Sequence, residues 1–168
     1  MIKHTEFLGL AEVVKAEVFR GHRGYYAKEP DESLAVTDLI VNTGRIYIAK
    51  RMSAGDTVAS LMNYMAIGSG TAAAALTDGS TPGLYGEIKR KALAVFSAQT
   101  NNIVTAVCTF GGTAETIQSI AITEAGLANH ANSGQGDLMQ RVTFASVTLA
   151  NSDLLKLTLQ TNVGSNTI

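Results

Sequence analysis

Residues 154–163 read Leu-Leu-Lys-Leu-Thr-Leu-Gln-Thr-Asn-Val, and their alternation decides the fold. Leu155, Leu157, Leu159 and Val163 take one parity; Lys156, Thr158, Gln160 and Asn162 take the other. A period of two is that of a strand with one face buried and one facing something wetter. Working outward, 103–110 sets Val104, Ala106, Cys108 and Phe110 against Thr105 and Thr109. In 140–149, Val142 and Phe144 stand opposite Arg141 and Thr143. Near the start, Val14, Ala16 and Val18 alternate with Lys15 and Glu17. Several such runs, divided by Gly, Asn, Ser and Asp, predict an antiparallel sandwich or barrel.

Between these runs the spacing changes. Leu39, Ile46 and Ala49, with a neighbouring row of Ile40, Thr43 and Tyr47, predict a helix over about 38–52. Lys50 and Arg51 suit its C-terminal end, where cations complement the helix dipole; Gly44 in its middle does not suit a helix. Residues 64–68 read as a short strand, and 69–86 as a long loop of Ala, Gly, Thr and Ser with Pro82. A loop of that length is uncommon unless it contacts something. Residues 87–98 read as one strand, 100–102 as a hairpin turn, and 117–125 as a further strand. The expected organisation is an N-terminal arm over 1–12 and a single domain over 13–168. The fold class is mainly β: an antiparallel β-sandwich, jelly-roll or immunoglobulin-like, with one short α-helix.

Composition narrows the function. The chain has 168 residues and a net charge of −1, so no global field draws in nucleic acid or an acidic membrane surface. Only 16% of residues are charged, and residues 92–168 hold six: Glu115, Glu124, Asp137, Arg141, Asp153 and Lys156. A polar but scarcely charged exterior serves a free monomer poorly and suits a surface covered by neighbouring subunits. Cys108 is the lone cysteine and reads as a small buried hydrophobe, compatible with a reducing cytosol. The first residues lack an apolar run of signal-peptide length, and no stretch approaches the ~20 apolar residues of a membrane span.

Motifs for chemistry are weak. Gly68-Ser69-Gly70-Thr71-Ala72-Ala73 fits G-x-G-x-x-A, but the Asp-Gly-Ser-Thr-Pro-Gly that follows cannot sustain the crossover helix a dinucleotide site needs. His4, His22 and His130 are dispersed, with no second cysteine to complete a zinc site. Glu115 and Glu124 read as ordinary surface acids, and Lys89-Arg90-Lys91 as a solvated strand entry. No catalytic residue, cofactor site or metal site is expected. A glycan hydrolase would need two carboxylates across a cleft, and the acid-poor C-terminal half offers little to build one. The residues expected to make assembly contacts are Phe7, Leu8 and Leu10 in the arm, the Tyr25-Tyr26 pair, and Leu84 and Tyr85 in the long loop.

Three stretches stand out: Leu39-Ile40-Val41-Asn42-Thr43-Gly44-Arg45-Ile46 running on to Met52, Asn63-Tyr64-Met65-Ala66-Ile67-Gly68-Ser69-Gly70-Thr71, and Ile122-Thr123-Glu124-Ala125-Gly126-Leu127 followed by Leu138–Phe144. Together they resemble a family of tailed-phage virion proteins. The closing Asp153-Leu154-Leu155-Lys156-Leu157-Thr158-Leu159 fits as well. Residues after Leu127 depart from the pattern, reading Ala-Asn-His-Ala-Asn where an aromatic would follow. The resemblance implies a structural, non-enzymatic β-sandwich of the bacteriophage virion. It would be a capsid decoration (cement) protein on the outside of the head, or a tail-tip, baseplate or fibre adaptor. It implies the major capsid protein and further copies of this chain (a dimer or trimer) as partners. No nucleic acid or membrane is among them. The expected location is the capsid surface, after synthesis in the host cytoplasm.

Overall fold

A computed structural model describes residues 10–22, 29–37, 39–53, 60–79, 83–98 and 103–163. Among the described residues, ten strands form two five-stranded antiparallel sheets packed as a β-sandwich. The first sheet has the order β2-β1-β10-β7-β6, from β1 (Leu10–Phe19), β2 (Glu32–Thr37), β6 (Val95–Ala98), β7 (Ile103–Gly111) and β10 (Leu154–Val163). The second has the order β3-β9-β8-β4-β5, from β3 (Leu39–Ile40), β4 (Tyr64–Gly68), β5 (Glu87–Ala92), β8 (Ala121–Ala128) and β9 (Leu138–Thr148). The one α-helix among the described residues, α1 (Asn42–Met52), lies between β3 and β4 in the chain and packs on β9.

The alternation places the core as expected. Val14, Ala16, Val18, Ala106, Cys108, Phe110, Leu155, Leu157 and Leu159 point inward from the first sheet. Met65, Ile67, Ile122, Ala125, Leu127, Val142 and Phe144 meet them from the second. Burial pushes the Cys108 thiol up to about 11, so it packs as a neutral hydrophobe at physiological pH.

Several expected boundaries move. β1 begins at Leu10, three residues inside the stretch assigned to the arm, because 10–19 pair without a break with β10. The helix starts at Asn42 rather than near 38: Leu39 and Ile40 pair with Arg141 and Gln140 as a short edge strand. The row Leu39, Ile46 and Ala49 is therefore not its buried face. Ile46 is 55% exposed, and the helix buries Gly44 and Tyr47. The run 87–98 is two strands, since the chain leaves one sheet at Ala92 and enters the other at Val95. The third C-terminal strand runs from Ala121 rather than 117; Ile117 is buried ahead of it. The hairpin at 100–102 lies outside the described residues.

Candidate functional site

The outer face of the second sheet carries the most unusual chemistry. Strand parity puts Ala66, Gly68, Glu124, Gly126 and Arg141 there, where the alternation predicts solvent. Instead residues 69–79 and 83–86 fold back over that face. Arg141 and Glu124 are fully buried and Asp78 is 3% exposed. A small apolar cluster of Val41, Ala66, Leu84 and Leu138 lies beneath the same segment.

Arg141 organises the site. Its Nε donates to Glu124 Oε2 at 2.7 Å, and its Nη1 to Asp78 Oδ2 at 2.9 Å. Nη2 donates to the Ala72 carbonyl at 2.9 Å, and Nη1 also reaches the Ala73 carbonyl at 3.4 Å. The guanidinium lies 4.7 Å from the centre of the Tyr85 ring, a cation–π contact. The Tyr85 hydroxyl donates to Asp78 Oδ1 at 3.0 Å, and the Ala75 N–H to Asp78 Oδ2 at 2.8 Å. Glu124 Oε1 accepts the N–H groups of Gly70 at 3.0 Å and Gly86 at 2.8 Å.

The glycine pattern thus has a physical reason that is not nucleotide binding. A Cβ on Gly68 would stand 2.4 Å from Glu124 Oε1, and one on Gly70 2.5 Å from it. The backbone approaches an anion closely, as a phosphate loop does, but the anion is the chain's own carboxylate. Burial drives the Asp78 carboxyl upward, yet the Ala75 N–H, Arg141 and the Tyr85 hydroxyl outweigh it and hold it below the ordinary aspartate value. Beside Asp78, the Tyr85 phenol is held above its ordinary value. Burial works against the Arg141 cation, and the two carboxylates more than restore it. Asp78 is ionised, and the side chains of both acids are fully engaged in hydrogen bonds. The cluster ties residues 69–79 and 83–86 to the sheet.

Other expectations change in the same way. Glu124 is no surface acid and does not meet Glu115, which pairs with Lys91. Lys89-Arg90-Lys91 is not simply a solvated entry: the Arg90 side chain is 2% exposed, held by Glu87 at 2.7 Å and by the carbonyls of His130 and Gln135. His130 is half-buried and accepts the Asn132 N–H on Nδ1 at 3.1 Å. His22 closes a short 3-10 turn, and His4 lies outside the described residues. No group of three or more His, Cys, Asp or Glu side chains that could hold a metal occurs among the described residues. No helix there is long and apolar enough to cross a membrane.

Of the expected contact residues, Phe7, Leu8, Tyr25 and Tyr26 lie outside the described residues. Leu10 starts β1 opposite Val163. Leu84 is 9% exposed and serves as an anchor beneath the loop rather than a contact, because its side chain completes the small apolar cluster. Tyr85 is 66% exposed and Leu76, in the same loop, 40%. The sequence reading missed Arg141, Glu124 and Asp78. The available signal was a lone Arg and a lone Glu on the non-core parity of strands otherwise almost without charge.

The acids also set a pH response. Glu17, pushed up by burial, is brought below its ordinary value by Lys15 and Lys156. Asp153, likewise pushed up by burial, is brought down by the N–H groups of Ala150 and Gly21 and by Arg20. With Asp78 they make three carboxylates whose folded values are depressed. Their stabilisation is complete above the unfolded values, near pH 4, and is lost as pH falls through the lower folded ones. The melting temperature is expected to hold steady from neutral to mildly acid pH and then fall, with a shallower fall in Asp78→Asn. A melting temperature that rises on acidification below pH ~4 contradicts this linkage.

No family model, no curated protein and no solved structure matches this chain.

Proposed function

We propose that this chain is a structural virion protein of a tailed phage, a decoration protein that binds the outside of the assembled major capsid lattice and stabilises it. One observation carries the reading. Residues 69–79 and 83–86 are clamped over the second sheet by the Arg141 cluster and turn a nearly uncharged surface outward, with Leu76 and Tyr85 exposed on it. A pre-ordered loop loses little conformational entropy when it docks, so modest contacts suffice. The resemblance of the three sequence stretches to virion β-sandwich proteins supports the same reading.

The action is mass action. A partner that binds the assembled lattice and not its free subunits stabilises the lattice by the free energy of that binding. Repeated over many sites, weak binding per copy protects the whole shell. No reaction is assigned: the buried acids and bases are spent on one another.

Leu76→Asp tests the surface, since it puts a charge on the exposed loop without touching the Arg141 cluster. Its occupancy on purified particles is expected to fall about tenfold or more, the effect of ~1.4 kcal/mol per contact, with an unchanged melting temperature. Full occupancy of the Leu76→Asp protein overturns the assignment of this loop as the lattice contact.

A further inference from the structure

A second feature of the molecule is independent of the functional reading. An apolar groove of about 270 Å³ lies beside the last turn of α1. Val104 and Ala106 of β7 line it from one sheet, Leu127 of β8 and Met139 of β9 from the other. Met52 of α1, with Leu61 and Met62 ahead of β4, adds to the apolar lining. Met52 is 78% exposed and Leu61 50%, so the groove is open to solvent at these two residues. Three of the chain's five methionines line it. Unbranched and polarizable, they adapt to a flexible apolar ligand rather than to one fixed shape.

The polar groups at the groove restrict its occupant. Arg51 lines it, and its Nε donates to the Tyr47 hydroxyl at 3.2 Å, with the guanidinium 5.3 Å from the centre of the Tyr47 ring. These contacts hold a cation beside an apolar wall. Arg45 and Lys50 are exposed on α1, which carries no acid, and no acid is among the residues that line the groove. The Thr161 hydroxyl, also at the groove, donates to Gln140 Oε1 at 3.1 Å. A peptide brings an N–H and a carbonyl with nearly every residue, and in this groove they would be buried with few partners. An alkyl chain brings neither. A cation on an otherwise apolar groove matches one kind of molecule, an anion joined to a hydrocarbon tail.

We propose that the groove beside α1 binds a long-chain carboxylate, with the alkyl chain against Met62, Leu127 and Met139 and the carboxylate on Arg51.

Titration of the full chain with decanoate, below the concentration at which it forms micelles, tests this. Saturable binding of one decanoate per chain is expected by calorimetry. From octanoate to decanoate to dodecanoate, each step of two methylenes is expected to tighten binding roughly tenfold. Arg51→Met is expected to weaken decanoate about fivefold, the upper end for an exposed ion pair, and to leave the binding of decanol unchanged. Met52→Glu, at an exposed position, is expected to weaken decanoate about tenfold by like-charge repulsion with an unchanged melting temperature. Methionine methyl signals locate the ligand. Those of Met52, Met62 and Met139 are expected to shift on saturation, and that of Met65, buried in the core and not part of the lining, to stay. Absence of saturable binding, one affinity along the chain-length series, equal weakening of decanol by Arg51→Met, or methyl shifts that spare the three lining residues overturns the proposal. So does a dimer in sedimentation that Met52→Glu dissolves, which puts a second copy in the groove.

Discussion

Arg141→Met is expected to lower the stability of the fold by about 3–5 kcal/mol, the cost of removing one partner from a buried ion pair. The methionine fills most of the volume, so the loss comes from what is left behind. Glu124, with no exposed surface, would keep only the Gly70 and Gly86 N–H groups. Asp78 would keep the Ala75 N–H and the Tyr85 hydroxyl. The carbonyls of Ala72 and Ala73 would lose their donor. Adding Glu124→Gln recovers part of the loss: the amide oxygen still accepts from Gly70 and Gly86, and of the two buried carboxylates only Asp78 is left without its cation. Urea unfolding at constant slope measures both variants. The Arg141→Met protein is also expected to be cut first within 69–86 by a protease, because that segment is tied down by this cluster. A loss below about 1 kcal/mol would mean that the pair is solvated and that the loop is held by other contacts.

The second large effect has a sign that ordinary helix reasoning gets backwards. Gly→Ala inside a helix normally stabilises by about 1 kcal/mol, through the better propensity of alanine. At Gly44 the opposite is expected. A Cβ there would stand 2.0 Å from the Met139 carbonyl oxygen and 2.7 Å from its carbon, both rigid backbone of β9. The helix comes this close because Val41 donates its N–H to the Met139 carbonyl at 3.1 Å, and the Thr43 hydroxyl donates to the Leu138 carbonyl at 2.6 Å. Gly44→Ala must push α1 off β9 and disturb the buried Tyr47, so a net loss of about 2 kcal/mol or more is expected. Arg45→Ala, on the exposed side of the same helix, is expected to stay within about 0.5 kcal/mol of the parent. Thermal melts of the two variants decide it; a stabilised Gly44→Ala would mean that the helix does not pack this closely.

These two positions show where reading the residues succeeded and where it stopped. β4 and β10 match their expected bounds residue for residue: β10 is a dense two-period run ended by turn residues, and β4 a short apolar run ended by Gly68 and the Ser-Gly that follows. Inward parity was legible for the same reason. Parity says which side chains leave the core, however, and not what lies over the other face. Arg141 and Asp78 are 63 residues apart, and nothing local to either announces the partner. The segment 69–86 looked like a loop without a core because its core is borrowed: polar from Glu124 and Arg141, apolar from Val41, Ala66 and Leu138. Gly44 looked like a flaw in a helix because close approach to β9 is visible only after both elements are in place. The boundary near Leu39 was misread because two apolar residues ahead of a helix fit its spacing equally well as an edge strand. Of the two residues expected to make contacts from the long loop, Tyr85 is exposed, whereas Leu84, its neighbour, is buried.

The most direct test of the proposed role is immunogold labelling of intact phage particles with an antibody to this chain. Label spread over the outside of the head is the predicted result. Label confined to the end of the tail, or absent from intact particles, would contradict a capsid decoration role.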